Sequence, residues 1–193
     1  MIVIGTISGG TVRTDYVTSL LALEHTVPFM LFFATGGYPH LNRTAIVDQA
    51  LSQDASHVMF IDNDMVFPPN GITTLLSHKK EIVGANYSER RLPLVSTVKF
   101  ADSNGILQDV DGDDIPKTLF PCYALGTGFM LIECSVFKKI PKPWFFYESY
   151  THTDGVTTEM TEDVYFCKKA KEYGYTVYCD PTIHLGHIGS YQY

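Results

Sequence analysis

Two aspartates flank one asparagine in "FIDNDMVFPPN", residues 60 to 70, directly after the apolar run "HVMFI". Alternate residues of an extended segment point the same way, so Asp62 and Asp64 can address one point in space. Carboxylates so close together repel one another unless a cation separates them, and none lies nearby in the sequence. Oxygen ligands suit a hard cation, so the pair is expected to hold Mg2+ or Mn2+. The plain alternative is a turn, with Asp62 capping it and Asp64 solvated.

A second acidic pair opens "TEDVYFCKKAKEYG", residues 161 to 174. Glu162 and Asp163 after Thr161 suit the first turn of a helix, where negative charge complements the dipole. Asp163 at such a helix start could also take a proton from a hydroxyl group. "HLGHIG" places His184 and His187 beside small residues that permit close approach; His187 is read as a metal ligand and His184 as structural. Arg13, Arg90 and Arg91 carry guanidinium forks that match phosphate oxygens. In "PKPWFFYESY" the rings of Trp144 and Phe145 would serve as a sugar platform or as core. "QDVDGDD" imitates a calcium loop, but its glycine is misplaced, so it reads as a solvated turn.

These residues need elements to hold them. "IVIG", "VPFMLFFAT" and "HVMFID" read as buried strands, separated by helical spacing in "TDYVTSLLALEH", with Thr14 as N-cap, and in "LNRTAIVDQALSQ". This alternation predicts an α/β, Rossmann-type mixed sheet, parallel in its N-terminal βαβαβ half and more antiparallel in its C-terminal half. Later strands are expected in "EIVGANY", in "LVSTVKF" with a hairpin turn at Asn104-Gly105, in "YALGTGFMLIE" and in "YTVYCD". Helices are expected in "PPNGITTLLSHKK", "SVFKKI" and the acidic segment, the last stopped by Gly174. In open sheets of this kind ligands sit at the carboxyl ends of the strands, which is where Asp62 and Asp64 fall.

The chain has 193 residues, 45% hydrophobic and 18% charged, which fits one domain over 1–193. A net charge of -7 opposes unaided capture of nucleic acid. Cys122, Cys134, Cys167 and Cys179 show no C-x-x-C spacing, so they read as small hydrophobes in a reducing cytoplasm rather than zinc ligands. No apolar run is long enough to span a membrane.

The D-x-D stretch and four further segments carry a resemblance. "TISGGTVRTDYVTSLLAL", "FIDNDMVFPPN" with "ALGTGFMLIECSVF", "TEDVYFCKKAKEYGY" and "DPTIHLGHIG", in this order, resemble the GT-A fold, family-2-like, nucleotide-sugar-dependent glycosyltransferases, particularly small members from bacteria and phages. The resemblance implies transfer of a sugar from a nucleoside diphosphate sugar, UDP-sugar first, to a hydroxyl acceptor that is a glycan, a lipid-linked group or a small molecule. It implies Mn2+ or Mg2+ held by Asp62, Asp64 and His187, and Asp163 as catalytic carboxylate. Donor contacts would come from Thr6, Ser8, Arg13, Asn42, Arg43, Asp62, Asn63, Arg90, Gly126, Thr127, Gly128 and Glu162, and acceptor contacts from Trp144 and Phe145. Residues 1–100 would form the nucleotide-sugar half and 101–193 the acceptor and catalytic half, in a bacterial or phage-infected cytoplasm. Two other classes remain open: a nucleotidyltransferase making sugar nucleotides, which would want a longer basic glycine-rich opening loop, and a non-catalytic metal- or carbohydrate-binding module, which has no need of Asp163.

Overall fold

The computed structural model describes residues 1–102, 106–151 and 157–189. In chain order its elements are β1 (Ile2–Ser8), α1 (Thr14–Leu21), β2 (Phe29–Thr35), α2 (Pro39–Ser52), β3 (His57–Ile61), β4 (Met65–Val66), α3 (Gly71–Ser77) and β5 (Ile82–Ala85). There follow β6 (Lys99–Ala101), β7 (Leu107–Asp109), β8 (Phe120–Cys122), β9 (Phe129–Glu133), α4 (Cys134–Lys139), β10 (Glu148–Thr151), β11 (Thr157–Met160), α5 (Glu162–Glu172), β12 (Val177–Asp180) and β13 (Gly186–His187).

The fold is α/β, built on a seven-stranded mixed sheet in the order β2-β1-β3-β9-β5-β12-β8. β2, β1 and β3 are parallel, as the alternation of strand and helix predicts. β9 then runs antiparallel between β3 and β5, while β12 lies parallel to β5 and antiparallel to β8. The carboxyl ends of β1, β3, β5 and β12 therefore share one edge with the amino end of β9. The second half of the sequence supplies a central strand, so the two sequence halves interleave in one sheet.

The inner strands β1, β3, β9, β5 and β12 alternate their side chains between two cores, the period of a pleated sheet covered on both faces. In β3, Val58 and Phe60 join Ile46, Val47 and Ala50 of α2, Phe137 of α4 and Phe166 of α5. Met59 and Ile61 face the other way, toward Tyr16 of α1 and Ile72 and Leu75 of α3. This double burial is why "HVMFI" is a continuous apolar run rather than an alternating one.

Several details differ from expectation. Arg13, not Thr14, occupies the N-cap of α1, without a side-chain cap. "LVSTVKF" leaves the main sheet, since β6 pairs with β7 in a separate ribbon, and the Asn104-Gly105 turn lies outside the described residues. Gly174, at φ +87°, ends α5 as expected, because a side chain is strained in that conformation. Three of the four cysteines are buried, and burial pushes the Cys134 thiol up to about 11 and that of Cys179 to about 12.

The sugar-platform reading of Trp144 and Phe145 is overturned. They are 4% and 1% exposed, and the Trp144 indole donates to the Ile140 carbonyl at 2.7 Å. Phe145 stacks on Phe166 at 5.1 Å and meets the edge of Phe60 at 5.5 Å. Trp144 meets the Phe137 ring of α4 at 5.4 Å, so Trp144 and Phe145 fill the core beneath α4 and α5. The next two residues, Phe146 and Tyr147, are instead 47% and 40% exposed. No helix among the described residues is long and apolar enough to cross a membrane.

Phe145→Ala should therefore cost about 3 to 5 kcal/mol in urea-induced unfolding, and Phe146→Ala within about 0.5 kcal/mol of nothing. Equal losses for the two variants would contradict this assignment of core and surface.

Candidate active site

The site is built from the β3 exit. The Asp62 amide donates to the Gly128 carbonyl at 3.0 Å, which continues the β3–β9 pairing beyond Ile61 and Phe129. The backbone turns after Asp62, where the Met65 amide returns to the Asp62 carbonyl, and β4 begins. β13 pairs with β4 in the register His187 to Met65, and the Ile188 amide donates to the Asp64 carbonyl at 2.8 Å. This small ribbon is what brings His187 to Asp64 across the chain.

The two aspartates do not share one partner. Asp62 faces the Arg43 guanidinium, with Nη2 at 3.3 and 3.4 Å from its two carboxylate oxygens. Asp64 Oδ2 lies 2.9 Å from Arg90 Nη1 and 3.5 Å from His187 Nε2. The positive charge missing from the local sequence is thus partly supplied by arginines from α2 and from the loop after β5.

Arg43 is 5% exposed and reaches Glu162 Oε1 with Nε at 3.1 Å. Burial alone would weaken its charge, but Asp62, Glu162 and Asp163 outweigh that and raise its pKa. Arg43 is therefore a buried clamp between the β3 exit and the start of α5. Asn42 is buried beside it at 8%. Their expected role as open donor contacts is corrected accordingly: both are buried, and α2 turns Arg43 inward, toward carboxylates that need a cation.

His187 Nδ1 lies 2.9 Å from the Ser88 carbonyl, an acceptor, so that nitrogen carries a proton, and Nε2 faces Asp64, donating to its carboxylate when the ring is protonated and offering a lone pair to a cation when the ring is neutral. The Tyr87 ring meets His187 edge-on at 5.1 Å. Burial lowers the His187 pKa, but Asp64 more than compensates and raises it. Burial likewise opposes ionisation of Asp64, while His187 and Arg90 hold its carboxyl below the usual range. Asp64 Oδ1 is buried and has no hydrogen-bond partner among the described residues.

No group of three or more His, Cys, Asp or Glu among the described residues is spaced to hold a metal. Asp64 and His187 alone nevertheless fit a divalent cation. The orphaned Oδ1 needs a partner, Nε2 is the available imidazole nitrogen, and the Ser88 carbonyl fixes the tautomer as outer partners of metal-bound histidines do. A cation of the Mg2+ kind takes few protein ligands and completes its shell from phosphate and water. Asp62 is already paired with Arg43.

At the start of α5, Thr161 is the N-cap, but its hydroxyl donates to Asp163 Oδ1 rather than capping the backbone. The Val164 amide donates to the same oxygen at 2.8 Å. Both hydrogen bonds thus use Oδ1 and neither uses Oδ2. Desolvation, then repulsion from Glu162, raises the Asp163 pKa despite these donors.

The opening loop mostly holds itself. Thr6 is 1% exposed and its hydroxyl lies 2.5 Å from that of Tyr16. Ser8 donates to the Thr11 carbonyl at 2.7 Å and accepts from the Gly10 amide. Asn63 donates to the same Thr11 carbonyl at 3.1 Å, tying the β3 exit to this loop. Arg13 is exposed, 3.7 Å from Asp15, and Arg91 pairs with Glu89 and Asp109 rather than with the aspartates after β3. His184, expected to be structural, is exposed on the wall of a cavity of about 530 Å3 that Tyr87 and Ser88 also line.

Tyr87 is the residue that sequence reasoning missed. Its hydroxyl accepts the Gly128 amide at 3.0 Å, and a Cβ at Gly126 or Gly128 would come within 2.5 or 2.6 Å of it. The glycines of "GTG" are therefore required by the phenol packed against them. Burial, then Asp62 and Asp163, push the Tyr87 pKa well up, so it stays a neutral phenol. Its place just beyond β5, on the ligand edge of the sheet, was the available signal.

No protein-family model and no curated protein matches the sequence. The chain is similar to a solved structure, the crystal structure of A197 from STIV, with a TM-score of 0.69 and 19% identity, over 97% of this chain and 85% of that one. At that identity the likeness shows the fold.

Replacing Arg43 by Met should leave Asp62 and Glu162 facing one another without their cation, at a cost of about 3 to 5 kcal/mol in unfolding free energy. Arg43→Lys should not restore it, because an ammonium cannot span both carboxylates as the fork does. Recovery of wild-type stability by Lys would reduce the clamp to simple charge balance.

Proposed function

We propose that this protein is a metal-dependent glycosyltransferase that moves a sugar from a nucleoside diphosphate sugar, UDP-sugar first, to a hydroxyl acceptor. The observation that carries the reading is the Asp64–His187 pair at the carboxyl edge of the sheet, with His187 Nε2 3.5 Å from Asp64 Oδ2 and the other carboxylate oxygen, Oδ1, buried and unpartnered among the described residues. The order of the sequence segments that resemble GT-A glycosyltransferases supports the same reading.

Asp64 and His187 would hold Mn2+ or Mg2+. When bound, such an ion supplies charge stabilisation to the departing diphosphate. Arg90 is half exposed on its side chain and already at Asp64, so it can turn its guanidinium to a phosphate oxygen without unfolding anything. Arg43 keeps Asp62 and Glu162 in place, and Asn63 holds the opening loop against the β3 exit. Asp163 uses Oδ1 for its own positioning and offers Oδ2 to the acceptor. As the acceptor oxygen bonds to the anomeric carbon, its proton passes to Asp163 and the electrons of the breaking glycosidic C–O bond leave on the diphosphate. A carboxylate whose pKa burial has raised is the better base where the transfer inverts.

Asp64→Ala should abolish Mn2+-dependent binding of UDP, and His187→Ala should weaken it about 10- to 100-fold, both read by calorimetry. Undiminished Mn2+-dependent binding by Asp64→Ala would overturn the metal assignment.

Asp163→Asn should lower turnover about 10²- to 10⁴-fold with UDP affinity unchanged. The sign of its stability effect follows from the raised pKa in the folded state. A carboxyl of that kind supports the fold fully only below its unfolded value of about 3.9, and the support is lost as pH rises through the folded value. Asn keeps the acceptor for Thr161 and Val164, so its melting temperature at pH 7 should equal or exceed that of the wild type, with the difference closing in acid. A marked loss of melting temperature at pH 7 would return Asp163 to a structural role.

A further inference from the structure

We infer that the acceptor is a carbohydrate, held by an exposed cluster of aromatic rings, Tyr38, Phe146 and Tyr147, gathered around His40 near the start of α5. The inference deepens the transferase reading and depends on it for the reaction only, since binding of a glycan to this surface needs neither donor nor metal.

Tyr38, Phe146 and Tyr147 are 69%, 47% and 40% exposed. They come from the start of α2 and from the segment between α4 and β10, and His40 joins them. The His40 ring stacks on Tyr38 at 5.9 Å and meets Tyr147 and Phe146 edge-on at 5.3 and 6.1 Å. Phe146 in turn meets Tyr165 of α5 at 6.0 Å. Solvent-facing rings gathered from separate parts of the chain are more than scattered surface apolars.

The surroundings select the ligand. The Glu162 carboxylate, next to Asp163 in sequence, acts on the Tyr147 phenol, and Phe146 meets Tyr165 of the same helix, so the rings border the start of α5. Desolvation and Glu162 push that phenol up to about 12, so it remains a neutral hydrogen-bonding group. His40 Nδ1 is buried without a hydrogen-bond partner among the described residues. A sugar ring has an apolar C–H face and a rim of hydroxyls, and it needs flat aromatic area next to polar groups of this kind. An anionic membrane surface would instead require Lys and Arg around the rings. Here Glu162 and Asp163 adjoin the rings, the nearby Arg43 is already paired with Asp62 and Glu162, and Lys169 over Tyr165 donates to the Pro143 carbonyl, in a chain of net charge -7.

The test is a glycan array of gluco-, galacto-, manno- and N-acetylhexosamine oligosaccharides probed with the wild-type protein alone, followed by calorimetry with the strongest binder. Tyr38→Ala and Phe146→Ala are surface changes that leave the core filled. Each should weaken that glycan about tenfold, as loss of one stacked ring does, with Mn2+-dependent UDP binding unchanged. The proposal is overturned if no glycan on the array binds, if neither variant alters the affinity, or if the wild type binds phosphatidylcholine–phosphatidylglycerol vesicles and both variants lose that instead. Glycan binding lost in the variants, in a protein that never binds UDP with Mn2+, would keep the platform and remove the transferase.

Discussion

The arrangement at the sheet edge depends on one buried cation. Arg43 joins the β3 exit to the start of α5 by pairing with Asp62 and Glu162 at once, and its guanidinium carbon sits 5.5 Å over the Phe60 ring. Asp62, Glu162 and Asp163 all act on it electrostatically. Without it, three carboxylates would crowd a poorly solvated space, and α5 could not bring its acidic first turn against the end of β3. The planar fork matters as much as the charge, because it fixes two carboxylates in a set relation.

That clamp divides the acidic residues between two tasks. Asp62 and Glu162 are committed to Arg43 and serve as structure. Asp64 and Asp163 keep an oxygen each that these contacts do not use, one buried beside His187 and one at the mouth of α5. Tyr87 links the two sides, because it meets His187 edge-on while its hydroxyl holds the Gly128 amide at the head of β9. The same phenol explains why "GTG" tolerates no side chain at either glycine. A small set of contacts thus sets the spacing between the residues to which chemistry is assigned.

The fold was legible because its signals are local. "HVMFI" reads as a buried strand from five residues, and β3 is found there. Gly174 stops α5 for a reason contained in its own backbone. Of the candidate site only positions were legible: Asp64 and His187 come within 3.5 Å of one another and Asp163 stands in the first turn of α5, while the roles assigned to them belong to the proposal. Trp144 and Phe145 misled because an aromatic run carries no mark of which rings turn inward. In "PWFFY" Trp144 packs on Phe137 of α4 and Phe145 on Phe166 of α5, while Phe146 and Tyr147 face solvent, a choice made by the packing of those helices and not by the run itself.

What the sequence alone determined is the set of elements, the strand-and-helix alternation that requires a parallel start to the sheet, and the position of Asp62 and Asp64 at a strand's carboxyl end. Periodicity and turn chemistry act over a few residues, so they can be read without contacts. The tertiary structure decided the pairing of charges. Arg43 lies 19 residues from Asp62 and 119 from Glu162, and His187 reaches Asp64 only through the β4–β13 ribbon. An ion pair leaves no periodic trace in a sequence, because its energy depends on distance and burial in space rather than on separation along the chain.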